Sequence, residues 1–359
     1  MEKKRIVFTG GGSAGHVTPN LALIRELNQK EWDIFYIGSK KGIEKELIEK
    51  INTPYYPISS GKLRRYIDFE NIIDMFRVLK GCMEARKILR KLKPHIVFSK
   101  GGFVSVPVIV AAKLLKIPIF IHESDLTPGL ANKISQRFAT RIFTSFEETI
   151  KYFPKNKTTF IGSPIRREIL QGSADKGRAY LDFHRKLPIL TIMGGSLGAK
   201  KINETIRGTI VQLTKKYQIV HICGKNNIDQ KMTDIKGYKQ FEYIHEELAD
   251  ILAATDIVIT RGGSNSIFEF LALKIPMIII PLTLQQSRGD QILNAKVFEK
   301  KGYSLTLVEE ELTTETIISY LDNVFEKRKE IKIAMNTYTK TDALSFLMNE
   351  INETTSIER

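Results

Sequence analysis

The chain has 359 residues, 42% of them hydrophobic, with 55 Lys and Arg against 40 Asp and Glu and a formal net charge of +15. That length accommodates two domains, and that composition excludes disorder. Cys82 and Cys223 lie too far apart for a disulfide framework or a cysteine zinc site and fit a reducing compartment, while the charge favours polyanions without choosing between nucleic acid, acidic lipid and phosphorylated small molecules.

Met1 to Arg5 lead into a short apolar run and then glycine, so no signal peptide is read. "RIVFTG" is a short buried strand. "HVTPNLALIRELNQ" carries Leu21, Ile24 and Leu27 at helical spacing. "DIFYIG" is the next strand and "GIEKELIEKI" a helix. "PHIVFS" is a strand, and the hydrophobic window after it, "VPVIVAAKLLKIPIFI", is broken by Lys113, Lys116 and Pro118. A membrane span needs about 20 nearly uncharged residues, so none is expected there. "PIFIH", "RIFTS" and "TTFIGS" are further buried strands. After "GSPIRREIL" and a loop-like "QGSADKG" the pattern restarts: "PILTIMGG" strand, "INETIRGTIVQLT" helix, "QIVHICG" and "ADIVIT" strands, "SIFEFLALK" helix, "PMIIIP" strand. Strands alternating with helices, in continuous apolar runs, predict parallel sheets covered on both faces. The halves echo each other: each opens on a strand ending in glycines ("VFTGGGSAG", "TIMGGSLGAK") and later has a second Gly-Gly strand end ("VFSKGGFVS", "VITRGGSNS"). The expected architecture is α/β, with two doubly wound, Rossmann-like domains at 1–163 and 164–339 and a C-terminal helix at about 340–359 packing back on the first.

One match to G-x-G-x-x-G, such as Gly10, Gly12 and Gly15, is as readily structural as functional. Four such loops, each after a predicted strand, would all sit where open α/β sheets bind ligands, with backbone N–H groups and helix N-termini favouring a phosphate or diphosphate. The second strand ends "YIGSKKG" with no carboxylate for a ribose, which disfavours a nicotinamide cofactor; a P-loop is absent. No Asp-x-Asp occurs, so a bound diphosphate would be neutralised by helix N-termini, arginines and hydroxyls, with no metal and no cofactor expected.

"TGGGSAGHVTP", "SKGGFVSVP", "HESDLTPGLANK", "IGSPIR", "MGGSLGAK" and "RGGSNSIFEFLALKIP" occur in this order over roughly residues 5 to 300. The set resembles the MurG family, which transfers N-acetylglucosamine (GlcNAc) from UDP-GlcNAc to lipid I, undecaprenyl-pyrophosphoryl-MurNAc-pentapeptide, to give lipid II for peptidoglycan. The resemblance implies the GT-B fold, two domains facing across a cleft, and an inverting, metal-independent reaction. It places the acceptor in the N-terminal domain and the donor in the C-terminal one.

It also implies roles. Glu269, by itself an ordinary helix carboxylate, matches the residue that holds the ribose hydroxyls, with Ser264, Asn265 and Ser266 lining the same site. Ile244, otherwise core, matches the position that meets uracil through its main chain. Ser196 and Arg166 match groups on the donor phosphates, a task for which a guanidinium fork is suited. Gln291 matches the second of two glutamines on the GlcNAc hydroxyls; the first is Asp290 here. Asp125 stands where the family commonly has Asn and is assigned to the sugar or the acceptor, because a carboxylate repels a diphosphate. Ser163 for the usual Asn is minor. Ser13, Ala14 and Gly15 would hold the acceptor diphosphate. His16 is the candidate base or acceptor orienter, since an imidazole at a helix start is kept neutral and able to accept a proton.

Between Lys62 and Lys93, Phe69, Ile72, Ile73, Phe76 and Leu79 form a helical stripe flanked by Lys62, Arg64, Arg65, Arg77 and Lys80. Such a stripe ordinarily packs on its own sheet. The family has a hydrophobic patch ringed by basic residues here, so Ile72, Ile73, Phe76, Leu79, Arg64 and Arg65 are the expected membrane patch, on the anionic cytoplasmic face of the bacterial cell membrane. Competing readings are a transferase with a glycerolipid acceptor, a UDP-GlcNAc epimerase and a nucleic-acid-binding protein. Against the last, basic residues do not cluster with aromatics as stacking platforms would, and no nucleic-acid partner is expected.

Overall fold

The computed structural model describes residues 3–27, 30–61, 69–184, 186–195, 198–338 and 342–356, with 69–73 as backbone only. In chain order the elements are β1 (Lys4–Thr9), α1 (Thr18–Glu26), β2 (Trp32–Ser39), α2 (Ile43–Glu49), β3 (Tyr55–Ile58), α3 (Phe69–Leu92), β4 (Ile96–Ser99), α4 (Ser105–Leu114), β5 (Ile119–Glu123), α5 (Leu130–Ser135), β6 (Arg141–Thr144) and β7 (Thr158–Phe160). There follow α6 (Ala174–Tyr180), β8 (Ile189–Met193), α7 (Lys200–Leu213), β9 (Gln218–Ile222), β10 (Tyr238–Phe241), α8 (Leu248–Ala254), β11 (Ile257–Thr260), α9 (Ser264–Ala272), β12 (Met277–Ile279), α10 (Asp290–Lys300), β13 (Ser304–Thr306), α11 (Thr314–Asn336) and α12 (Ala343–Ser356).

The chain divides into two compact units, one of Met1–Pro164 with Thr341–Arg359, the other of Ile165–Lys340. Each is built on one parallel sheet, ordered β3-β2-β1-β4-β5-β6-β7 in the first and β10-β9-β8-β11-β12-β13 in the second. Strand order reverses beside β1 and β4 in one sheet and beside β8 and β11 in the other. These are the points where strand-end loops diverge and leave room for a ligand.

In the first unit, alternate residues of the central strands go to opposite faces. Phe8, Phe98, Phe120 and Phe143 form an aromatic face with α1, while Val7, Val97, Ile119, Ile121 and Ile142 form an aliphatic face with residues of α3 and α4. Phe8 and Phe98 lie 5.7 Å apart and Phe120 and Phe143 5.3 Å apart, both tilted out of parallel as ring quadrupoles prefer. The final helix, α12, buries Ala343, Leu344, Leu347 and Ile351 in the aromatic-face core. Its Phe346 meets Phe143 edge-on at 6.2 Å, and its Glu350 pairs with Arg141 at 3.0 Å.

Strands β3, β10 and β13 are absent from the sequence reading. All three are sheet edges of three or four residues with only partial burial, so they lack the continuous apolar run of an internal strand.

In the second unit, His221 of β9 is buried between Asn203 of α7 and Tyr238 of β10. Its Nε2 is 2.9 Å from the Asn203 Oδ1 and its Nδ1 accepts from the Tyr238 hydroxyl at 2.8 Å; the Asn203 amide nitrogen is committed to the Cys223 carbonyl at 2.9 Å, which fixes that orientation. Burial, reinforced by the Arg207 charge, pushes the imidazole pKa down to about 3. The folded value lies below the unfolded one, so as pH falls from 6.5 towards 3 the unfolded chain takes up the proton first. Stability therefore falls across that window, by at most about 1.4 kcal/mol per pH unit from this residue. In urea titrations between about pH 7 and pH 4, His221→Gln is expected to flatten this decline; an unchanged slope would place the acid sensitivity elsewhere.

Candidate active site

In the first unit β1, β4 and β5 end at one edge of the sheet. The loop after β1 has Gly12 at φ 85° and the loop after β4 has Gly102 at φ 82°, conformations that favour glycine. A Cβ on Gly102 would lie 2.1 Å from the Gly11 carbonyl oxygen, so the loops touch backbone to backbone. The Tyr36 hydroxyl donates to the Gly10 carbonyl at 2.7 Å, and Asn20 of α1 donates to the Thr9 carbonyl at 3.2 Å.

Glu44 of α2 is fully buried and accepts from the Gly12 amide at 3.2 Å, the Ser39 amide at 3.1 Å and the Ser39 hydroxyl at 2.5 Å. The Gly12 N–H, offered to a phosphate by the motif alone, is thus committed to the protein's own carboxylate. The end of β2 carries no acidic residue, but α2 returns one to it.

His16 closes the first loop, with Ser13 and Gly15 exposed and Ala14 and His16 half-buried. Its Nδ1 lies 3.0 Å from the Gly11 carbonyl and 3.0 Å from the Ser13 hydroxyl. A carbonyl only accepts, so Nδ1 carries the hydrogen and Nε2 is the acceptor nitrogen of the ring.

At the end of β5 the buried Glu123 accepts from the Asp125 amide at 3.1 Å, the Gly129 amide at 3.1 Å and Asn132 Nδ2 at 2.9 Å. Burial and the Asp125 charge nevertheless push its carboxyl up to about 7. Lys100, 2% exposed, donates through Nζ to His122 Nδ1 and to the Ser124 hydroxyl. Burial pulls the ammonium down to about 7 against the opposing charges of Glu123 and Asp125, and burial with the Lys100 charge holds His122 well below its ordinary value. The sequence assignment includes Asp125 but not Lys100, His122, Glu123 or Ser124. Their signal is in the motifs: polar and charged residues ending the otherwise apolar runs "VFSK" and "IFIHES".

In the second unit Arg166 and Glu269 are brought together. Arg166 Nε donates to Oε1 at 2.9 Å and Nη2 to Oε2 at 3.1 Å, with Glu269 buried on α9. Burial alone would lower the Arg166 pKa; the Glu269 carboxylate more than offsets it, and the net shift is upward. The two residues are partners of each other in this structure, and the Nη1 side of the guanidinium is what remains for an anion. Ser264, buried, and Asn265 and Ser266, half-buried, form the first turn of α9.

Gln291 accepts through Oε1 from the Gly262 amide at 3.2 Å and the Leu282 amide at 3.1 Å, which leaves its NH₂ for a ligand. Asn294, outside the sequence assignment, donates to the Gly262 carbonyl at 3.1 Å, so α10 holds Gly262 through both its amide and its carbonyl. Asp290 opens α10, 3.9 Å from Arg288 Nε. Ile244 is partly buried and packs on the core around Leu181, Phe183 and Ile251. Ser196, Arg64 and Arg65 lie outside the described residues, as do the side chains of Ile72 and Ile73.

Helix α3 packs inward through Ala85, Leu89 and Leu92. On it Met75, Phe76, Leu79 and Met83 are 57%, 65%, 56% and 67% exposed. Among the described residues no helix is long and apolar enough to cross a membrane, and no His, Cys, Asp and Glu side chains converge as a metal site.

Two doubly wound parallel-sheet units, each with glycine loops at its central strand ends, form the GT-B architecture of sugar-nucleotide transferases. The glycosyltransferase family 28 N-terminal domain matches residues 6–144 and the corresponding C-terminal domain residues 189–350. The chain belongs to glycosyltransferase family 28. It is 57% identical, over 98% of its length and 99% of the relative's, to UDP-N-acetylglucosamine–N-acetylmuramyl-(pentapeptide) pyrophosphoryl-undecaprenol N-acetylglucosamine transferase 2 of Bacillus cereus. It is 56% identical, over 98% of its length and 99% of the relative's, to the transferase of the same name, without the numeral, from Shouchella clausii. The crystal structure of Acinetobacter baumannii MurG shares the fold, with a TM-score of 0.77, 24% identity, and coverage of 98% of this chain and 100% of that one.

A Cβ on Gly11 would lie 2.5 Å from the Glu44 carboxylate. Gly11→Ala therefore forces Glu44 off Gly12 and Ser39, whereas Glu44→Ala leaves those donors unsatisfied at a cost of about 1–3 kcal/mol. Both substitutions break the same hydrogen bonds, so their effects on unfolding free energy are expected to be less than additive, with a coupling of about 1 kcal/mol. Strict additivity would show that Glu44 does not hold the loop.

Proposed function

We propose that this enzyme transfers GlcNAc from UDP-GlcNAc to the MurNAc 4-hydroxyl of lipid I, forming lipid II. The observation that carries the proposal is the 57% identity over 98% of the chain to a transferase named for these substrates. The loops of the first unit supply the acceptor site and those of the second the donor site. The acceptor oxygen attacks the anomeric carbon as the bond to the UDP oxygen breaks on the opposite face, which inverts configuration. The proton leaving that hydroxyl goes to His16 Nε2, a role supported by the donation from Nδ1 to Gly11 at 3.0 Å.

Charge grows on the departing diphosphate. The Nη1 side of Arg166 and the N-terminus of α9 are suited to receive it without a metal ion. Glu269, aligned by Arg166, accepts from the ribose hydroxyls. Ile244 meets the base, Ser196 the phosphates, and Asp290 and Gln291 the sugar. Turnover of UDP-GlcNAc and a lipid I analogue in EDTA tests substrate and metal independence together. His16→Ala is expected to lower kcat by about 10²-fold or more while UDP affinity stays within about twofold; loss of UDP binding instead would move His16 to the donor site. Glu269→Ala is expected to raise KM for UDP-GlcNAc more than it lowers kcat, because ribose contacts are made in ground and transition states alike.

The acceptor's polyprenyl tail stays in the bilayer, so the enzyme works at the cytoplasmic membrane surface, with no nucleic-acid partner. The exposed Met75, Phe76, Leu79 and Met83, with exposed Arg77, Lys80, Arg86 and Lys87 on the same helix, support α3 as the attachment face. Each cation near an anionic surface contributes about 1 kcal/mol, and the apolar side chains add partial insertion. Phe76→Asp with Leu79→Asp is expected to reduce cosedimentation with anionic liposomes and to spare turnover of a short, water-soluble acceptor, since both side chains are already exposed. Undiminished liposome binding would place the attachment elsewhere.

A further inference from the structure

Lys100 takes no part in the reaction as proposed, yet it is a fully buried cation at the end of a central strand. It follows Ser99, the last residue of β4, and its amide donates to the Thr9 carbonyl at 3.1 Å, which ties it to the start of the first glycine loop. Its side chain reaches the end of β5 and donates to both His122 Nδ1 and Ser124 Oγ. Holding an ammonium out of water is costly unless its hydrogens are used, and both partners here are neutral. The charged groups that act on it, Glu123 and Asp125, also come from the end of β5, and His122 is the other titratable group beside it.

Two consequences follow from donor and acceptor bookkeeping. An ammonium has hydrogens and no lone pair, so His122 Nδ1 must accept and the ring hydrogen must be on Nε2. Nε2 has acceptors on that side, the Gly162 carbonyl and the Ser145 hydroxyl, each at 3.4 Å. Ser124 Oγ likewise accepts from Lys100, so its own hydrogen points elsewhere. Ser124 is 9% exposed and immediately precedes Asp125 at the strand-end edge shared with the glycine loops, so that hydrogen can reach a ligand there.

We propose that Lys100 is a positioning residue of the acceptor site: it fixes His122 as the Nε2–H tautomer and orients Ser124 as a hydroxyl donor to a diphosphate oxygen of the acceptor. The proposal rests on the reading that the first unit takes a polyprenyl diphosphate.

Two measurements on the full chain test this. The first needs no substrate. Nitrogen-15 NMR of labelled histidines at about pH 6, below the Lys100 pKa of about 7, is expected to show His122 as the Nε2–H tautomer, which Lys100 selects at Nδ1 and the Gly162 carbonyl at Nε2. An Nδ1–H or doubly protonated His122 in the unaltered protein overturns the proposal. The second is calorimetric titration with a short-chain polyprenyl diphosphate in saturating UDP, which occupies the donor site. Lys100→Met and Ser124→Ala are each expected to weaken binding about 10-fold, the scale of one hydrogen bond to a charged group, and to leave UDP affinity unchanged. Ser124→Ala retains Lys100 and its buried partners, so it remains informative if Lys100→Met fails to fold. Unchanged diphosphate affinity in folded Ser124→Ala overturns the proposal. No diphosphate binding by the unaltered protein overturns it together with the acceptor reading, whereas binding without GlcNAc transfer overturns only the proposed function.

Discussion

The geometry of the first unit depends on one contact, the approach of the Gly11 carbonyl to Gly102. The oxygen occupies the place where any other residue at 102 would put its Cβ. This draws the loops after β1 and β4 together and lets residues from neighbouring strands act on one another. Tyr36, Asn20 and Glu44 then satisfy the backbone groups that such a tight crossing leaves over. Burial of those three polar side chains is costly, and the hydrogen bonds they make to strand-end backbone offset it. The result is a loop whose shape is fixed before any ligand arrives, with the His16 tautomer already set.

The second unit solves the same problem with ion pairs. Arg261, buried after β11, is held by Glu309 at 2.7 and 3.2 Å and by the Ile280 carbonyl at 3.1 Å. That pair anchors the start of the loop whose later residues open α9. Gln291 and Asn294 hold Gly262 through its amide and its carbonyl. Buried pairs of this kind add little net stability, but removing one partner strands a charge, so they specify one loop geometry strongly. Arg166 and Glu269 differ in that the arginine is only half-buried while its carboxylate partner is buried. Pairing orients both side chains, and an anion near Arg166 shares the guanidinium with the carboxylate already there.

The two units also handle charge differently at the strand ends. In the first, an ammonium, an imidazole and a carboxyl are buried near one another; burial moves each one's proton affinity most, with Glu123 and Asp125 acting on Lys100 and Lys100 acting on His122. In the second, arginines are paired with carboxylates, Arg261 with Glu309 and Arg166 with Glu269. A site of the first kind suits proton movement and hydrogen-bond direction; one of the second kind suits stable neutralisation of a leaving anion.

The α/β class, the internal parallel strands and the four glycine strand ends are legible from residue order alone. These follow from local rules: a strand buried on both faces must be continuously apolar, and a sharp turn at its end needs glycine. The resemblance carried by the chain's motifs pointed to His16, Arg166 and Glu269. The edge strands β3, β10 and β13 escaped because three or four half-buried residues carry no periodic signal. How the polar side chains are used emerges from the folded chain. That Glu44 takes the Gly12 amide, that Gln291 gives its carbonyl to a backbone, that Arg166 and Glu269 meet across 103 positions and that Lys100 joins His122 and Ser124 are pairings between distant residues. Local sequence sets what each group can donate or accept; which partner it finds depends on the order of strands in the sheet.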